Sequence, residues 1–285
     1  MVTLVDNFSS GKPSNLSAFH KNRQLTMLKC DVRNFHYTAR ALKGATAVFH
    51  EAAQVSVPRS MRDPQHTREV NVEGTLNVLK AAVKGGVKRV IFASSCAVYG
   101  DSTKRRQCET TPPSPLSPYA TSKLEGERYC SLFHRAFDLQ TAVLRYFNVY
   151  GPRQSSGPYA GVVRAFLDRA QKNLPLTIYG DGTQTRDFVH VSDVVHANLL
   201  ALTSDKVVGK VMNIGTGFPT TINQLARVIL DHHARNRGVM SNRRFIHRPA
   251  KEHEIRYSCA DVRLAKRLSG YTPKMKLSVG LSSKF

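Results

Sequence analysis

The sequence predicts an α/β protein built on a doubly wound parallel sheet, with a smaller C-terminal region that partly returns to that sheet. Three observations carry this expectation. Short apolar runs alternate with longer segments of helical periodicity, the signature of right-handed βαβ units. The 285 residues are 41% hydrophobic and 22% charged, which is enough to bury a large core and unlike a disordered chain. No internal repeat or low-complexity linker interrupts the alternation.

Taken in order, residues 2–5 are a short β-type run ending at Asp6, and residues 47–50 form another after a stretch that could be helical. Residues 70–83 carry apolar side chains at helical spacing, stopped by Gly85-Gly86. Residues 87–93 are a continuous apolar run of the buried-strand type. A Pro- and Ser-rich loop spans 101–118, a helix 119–137 and a strand 139–147. Beyond Gly151-Pro152 the pattern loosens. Helices are expected near 162–170, 194–202, 222–230 and, last, 262–268, and strands near 176–179 and 211–214. Ser192 and Asp193 are expected to cap the helix that follows them. The expected division is a domain over 1–150, rejoined by 187–207, and a second domain over 151–285.

Charge is the unusual feature: 42 Lys and Arg against 20 Asp and Glu give +22. Such a balance raises nucleic acid, an anionic surface or a polyanionic small ligand as partners. The dense basic stretches, 232–251 and Lys104-Arg105-Arg106, have no interleaved aromatics for base stacking, so nucleic acid is not the expected partner. No run of 18 apolar residues exists, so no membrane span is expected. Five scattered cysteines, none in Cys-x-x-Cys, argue against a disulfide scaffold or a zinc site; no metal is expected. Without a signal-peptide pattern at the start, a reducing, cytoplasmic location is expected.

Two segments carry chemistry. Tyr119-Ala-Thr-Ser-Lys123 places a phenol and an ammonium one turn apart on one helix face. A nearby cation favours the phenolate and so suits Tyr119 to general-base work. Upstream, the strand ending at Ser94-Ser95 puts hydroxyls at a carboxyl end, where parallel sheets bind ligands.

Further segments accompany these: Val5-Asp6-Asn7 with Ser9-Ser10-Gly11, Cys30-Asp31-Val32-Arg33, His50-Glu51-Ala52-Ala53-Gln54, Asn71-Val72-Glu73-Gly74-Thr75 and Ser94 through Gly100. Arg145 through Arg153 and Gly180 through Val191 complete the set. In this order and spacing the chain resembles the extended short-chain dehydrogenases/reductases, specifically the UDP-hexose 4-epimerases, over nearly its whole length. The resemblance implies a Rossmann-type NAD-binding domain and a UDP-sugar-binding domain. It implies NAD contacts from Asp6, Asn7, Ser9, Ser10, Asp31, Val32, Ala52, Ala53, Gln54, Lys123 and Phe147. A carboxylate at Asp6 would favour NAD over its 2′-phosphate. It implies UDP-sugar contacts from Ser95, Asn148, Arg186, Lys251, Glu254 and Ser258, and a homodimer. Catalysis would fall to Tyr119 as base, assisted by Ser95 and Lys123, through a 4-keto sugar. The related 4,6-dehydratases carry Asp-Glu where this chain has Cys96-Ala97, which sets the elimination reaction aside. A small Ser258 implies room for a 2-acetamido group. The alternatives are another nucleotide-sugar epimerase or dehydratase of the family, and a non-catalytic basic binding protein on the same fold.

The resemblance also marks departures. The family opens with a central strand and a Gly-x-x-Gly-x-x-Gly turn for the pyrophosphate, and no such string occurs here. The expectation is an N-terminally truncated epimerase whose sheet has two unpaired edges. Gly215-Thr216-Gly217 is read instead as a strand-to-helix turn. Lys251-Glu252-His253-Glu254 replaces the family's Arg-x-Gly-acid, losing the bidentate guanidinium.

Overall fold

The computed structural model describes residues 1–19, 21–155, 160–237, 244–250 and 254–282. In chain order the strands are β1 (Val2–Asp6), β2 (Leu25–Lys29), β3 (Ala47–His50), β4 (Arg89–Ser95), β5 (Gln140–Tyr146), β6 (Asn148–Tyr150), β7 (Leu176–Tyr179), β8 (Thr185–Arg186), β9 (Phe188–His190), β10 (Lys210–Ile214), β11 (Thr220–Thr221), β12 (Phe245–Arg248) and β13 (Tyr257–Ser258). The α-helices are α1 (Phe35–Ala41), α2 (Val57–Arg62), α3 (Pro64–Arg68), α4 (Gly74–Gly85), α5 (Pro118–Phe137), α6 (Val162–Gln171), α7 (Val191–Thr203), α8 (Ile222–Arg237), α9 (Arg263–Ser269) and α10 (Leu277–Gly280). They fall into two compact units. One comprises Met1–Ser94, Ser117–Leu144 and Ala201–Val211; the other Ser95–Leu116, Arg145–Leu200 and Met212–Phe285.

The first unit is organised around β4, six of whose seven residues are buried. It belongs to a sheet of order β10-β5-β4-β3, with β3 parallel to β4. Val90 and Phe92 of β4 pack against Val78, Leu79 and Ala82 of α4 and against Cys130 and Phe133 of α5. Local chemistry places these helices. Pro118 occupies the first turn of α5 and Ser117 caps it, its hydroxyl accepting from the Ala120 amide at 3.1 Å. Gly86, with φ of +69°, ends α4 in the left-handed region. Arg89, buried at the start of β4, donates to the carbonyls of Ala201, Leu202 and Ser204, satisfying the exposed end of α7.

Among the described residues the parallel sheet comes in two pieces. β1 hydrogen-bonds to β2 alone and β3 to β4 alone. The two unpaired edges expected from the sequence are therefore present, at β1 and β3. Val2 and Phe49 on them are 60% and 42% exposed.

Three expectations need correction. The helix expected over 70–83 begins as a π-turn, Glu69–Glu73, and becomes regular only at Gly74. Asn71 bonds outward from that turn, and Gly74 is needed because a Cβ there would lie 2.7 Å from Val32 Cγ2. Ser192 and Asp193 do not precede their helix: α7 starts at Val191. Asp193 instead accepts from the amides of Lys274 and Met275, and Ser192 bonds to His190. The helix expected to be last is followed by α10.

The second unit packs α6 and α8 with β7 around Phe166, Leu176, Ile178, Leu225 and Ile229. Its other strands form short sheets, β11-β8-β13 and β6-β9, while β12 pairs with β7.

The one-sided pairing of β1 and β3 has a measurable consequence. In hydrogen–deuterium exchange their amides should exchange roughly 100-fold or more faster than those of β4. Equal protection across the three strands would show that the edges are covered.

Candidate functional site

The first unit brings together a buried polar group at the carboxyl ends of β3 and β4. Lys123 is 4% exposed, and its Nζ donates to the Ala93 carbonyl at 2.7 Å while lying 5.1 Å from the Phe92 ring centroid. Burial pushes its ammonium down to about 8, opposed first by Glu51 and less by Glu127. Tyr119, one turn earlier on α5, is half-buried.

Ser94 and Ser95 are distinguished by their surroundings. Ser94 is buried and its hydroxyl donates to Glu127 Oε1 at 2.5 Å. Ser95, half-buried, accepts from the Ala97 amide at 3.1 Å, and its side chain also hydrogen-bonds to that of Cys96.

A knot of buried hydrogen bonds, to which the sequence assigned no role, orders the first turn of α5. Asn71 Oδ1 accepts the Gln54 amide at 2.7 Å, and its Nδ2 donates to the Gln54 carbonyl at 3.0 Å and to Ser122 Oγ at 2.9 Å. Ser122 in turn donates to the Tyr119 carbonyl at 2.7 Å. Thr75 donates to the Asn71 carbonyl at 2.6 Å, so its oxygen must accept from His50 Nε2 at 2.9 Å. This assigns the His50 proton to Nε2. Burial, then the charge of Lys123, pushes His50 down to about 3. The available signal was a polar residue, Asn71, inside an apolar helical pattern.

Asp6, Asn7 and Asp31 lie at the ends of β1 and β2. Asp6 Oδ1 accepts the Phe8 amide at 2.7 Å, and Asn7 Nδ2 donates to Asp31 Oδ2 at 2.9 Å. The Arg33 guanidinium grips Asp31 through both oxygens and holds its carboxyl well below the usual range. Val32 is half-buried, its carbonyl accepting from Asn77. Ser9, Ser10 and Ala52 are exposed and Ala53 is half-buried. Gln54 is 8% exposed, and its Oε1 has no partner among the described residues.

The second unit carries the other expected residues. Phe147 is buried, its ring centroid 6.4 Å from that of Tyr99. Asn148 gives its amide to the Asp187 carbonyl at 2.9 Å, and its buried Nδ2 has no partner among the described residues. Arg186 donates to the Thr185 and Ile255 carbonyls at 2.8 and 2.7 Å and pairs with Glu254 at 3.2 Å. Ser258 stands beside Arg186 in the β13–β8 register, and its hydroxyl donates to Cys96 Sγ at 3.7 Å. Lys251 lies outside the described residues. The Gly215–Gly217 turn is organised by buried Asp187, which accepts from the Thr216, Gly217 and Ala260 amides. Those amides are already committed, so this turn is not a phosphate cradle.

A family model described as "NAD dependent epimerase/dehydratase family" matches residues 2–215. The chain belongs to this family. It is 34% identical over 283 residues to a UDP-glucose 4-epimerase of Mycolicibacterium smegmatis, covering 99% of this chain and 88% of the relative. It is 34% identical over 296 residues to a UDP-N-acetyl-alpha-D-glucosaminuronate decarboxylase of Bacillus cytotoxicus, covering 98% and 87%. A crystal structure of the Thermotoga maritima UDP-glucose 4-epimerase with UDP-glucose superposes with a TM-score of 0.90 at 38% identity, covering 98% of this chain and 88% of that one. The fold is thus the Rossmann-like α/β fold of the family and the cofactor is NAD. The unpartnered buried Gln54 Oε1 fits a hydrogen-bond donor such as a ribose hydroxyl or a carboxamide. Among the described residues no cluster could hold a metal ion, and no helix is long and apolar enough to cross a membrane.

Two outcomes test the knot. Asn71→Ala strands several buried partners and should cost about 3 kcal/mol of stability in urea unfolding; a change below about 1 kcal/mol would show that the bonds are dispensable. His50 takes up a proton in the unfolded chain below pH 6.5 but in the folded one only near 3. Stability should therefore fall with pH between 6.5 and 3 by up to about 1.4 kcal/mol per pH unit from this residue. The His50→Gln variant should lose that part of the slope in unfolding curves at pH 7 and pH 5.

Proposed function

We propose that this enzyme epimerises the C4 centre of a UDP-hexose, with UDP-glucose and UDP-galactose as substrates and the 2-acetamido forms accepted beside them. The observation that carries the reading is Lys123, buried and fixed to the Ala93 carbonyl, one turn from half-buried Tyr119 on the same face of α5.

NAD, when bound, accepts a hydride from the sugar C4 and returns one to it. The chain's own residues do the rest. Lys123 stabilises the Tyr119 phenolate, which removes the proton of the 4-hydroxyl and later returns it. Ser95, at the end of β4, bonds the same oxygen. Asp6 and Asn7 hold the adenosine ribose side, Asp31 and Val32 the adenine side, with Ser9, Ser10, Ala52, Ala53, Gln54 and Phe147 completing the cofactor site. Asn148 Nδ2 donates to the UDP-sugar, and Arg186 with Lys251 and Glu254 holds the nucleotide diphosphate. Cys96 and Ala97 supply neither acid nor base, so elimination at C6 has no catalyst among them. Ser258, small and adjacent to Arg186, leaves space at the sugar C2 substituent. The assembly is a homodimer.

Purified protein given NAD and UDP-galactose should form UDP-glucose, and Tyr119→Phe should lower kcat by about 10²–10⁴-fold. Supplying UDP-N-acetylgalactosamine and UDP-glucuronate in parallel separates the sugars. Carbon dioxide release from the glucuronate, with no 4-epimer from any substrate, would replace this reading by decarboxylation.

A further inference from the structure

One buried carboxylate in the first unit has no part in the chemistry above. Glu127 follows Lys123 by one turn of α5 and is 6% exposed. Successive residues of β4 are each engaged by this stretch of helix. Phe92 sits against Gly126, where a Cβ would be 2.4 Å from its ring. Ala93 receives Lys123 Nζ, and Ser94 gives its hydroxyl to Glu127 at 2.5 Å. A carboxylate at such burial needs compensation, and the Ser94 hydroxyl and the buried ammonium of Lys123, one turn earlier, stand beside it.

We infer that Glu127 is a positioning residue for the proposed reaction: anchored by Ser94, it is the buried counter-charge that keeps Lys123 an ammonium beside Tyr119. The inference rests on the epimerase reading for its kinetic meaning but not for its electrostatics. A lysine removed from water tends to lose its proton, and only neighbouring negative charge and good hydrogen bonds oppose this. Several titratable groups surround Lys123. Tyr119 is one turn before it and Cys130 two turns after it on α5, and His50 and Glu51 come from the end of β3. His50 is held neutral by burial, and burial pushes the Cys130 thiol far up, so neither supplies a negative charge at neutral pH. Glu51 opposes the loss of the Lys123 proton most strongly, but it is exposed, where water and salt screen it. Glu127 is the carboxylate among them that is itself buried, where charge acts over a low dielectric.

Glu127→Gln tests this, because the amide oxygen can still accept from Ser94 while the charge is gone. With carbon-13-labelled lysine, and the Lys123 signal assigned through Lys123→Arg, the Lys123 midpoint is read directly by NMR titration. The wild-type midpoint should lie at about 8, and Glu127→Gln should lower it by about one unit. The alkaline limb of kcat for UDP-galactose should move down in parallel. Ser94→Ala removes the anchor and keeps the charge, so its midpoint should stay near that of wild type. A Glu127→Gln midpoint equal to wild type overturns the inference, as does a Ser94→Ala shift as large as that of Glu127→Gln. If the Gln variant does not fold, Glu127→Asp is titrated instead; a smaller downward shift supports the counter-charge and an unchanged midpoint overturns it. Absence of turnover in the wild type would defeat the epimerase reading, while the Lys123 titration would still decide the role of Glu127.

Discussion

The hydrogen bond from Lys123 Nζ to the Ala93 carbonyl is the interaction on which the candidate site depends. It joins the helix that carries Tyr119 to the end of the strand that carries the serines. A charged group at 4% exposure is costly to keep, and the first unit surrounds it with compensations. A carbonyl accepts from it, the Phe92 ring lies within cation–π reach, and the Glu127 carboxylate stands one turn away. The Asn71 knot then fixes the same turn of α5 from the other side, through Ser122 and the backbone of Tyr119. Rigidity of this kind suits the general-base role proposed for Tyr119.

In the second unit Asp187 plays the corresponding structural part. Fully buried, it gathers the amides of Thr216, Gly217 and Ala260 and so ties the turn after β10 to the segment after β13. Burial raises its carboxyl while these bonds lower it, and the net direction is upward. Gly215 has to be glycine here, because a Cβ would lie 2.7 Å from Asp187 Oδ2. On neighbouring positions Arg186 and Ser258 are held in register, and Asn148 is left with a buried donor to satisfy.

The divided sheet sets the energetic character of the first unit. β4 and β5 have neighbours on both sides, while among the described residues β1 and β3 each pair with one strand, and Phe49 and Val2 are exposed on them. The loop after β1 is nevertheless well ordered by its own side chains, with Asp6 and Asn7 bonding to Phe8, Ser9 and Asp31.

The alternation of strands and helices, the stop at Gly86 and the Tyr119/Lys123 spacing were legible in the sequence because each is local. A period, a φ-permissive residue or a one-turn interval needs no knowledge of what lies across the fold. The order of the matched segments likewise pointed to the family before any coordinates. The tertiary structure alone separated Ser94 from Ser95, because Ser94 is buried and bonded to Glu127 while Ser95 is half-buried and bonded to the Ala97 amide. It alone revealed the π-turn at Asn71, since that distortion answers to Gln54, Ser122 and Val32, which come from distant parts of the chain. It turned Asp193 from an expected cap into the acceptor for Lys274 and Met275. Burial and long-range hydrogen bonds decide these roles, and neither can be read from neighbours in sequence.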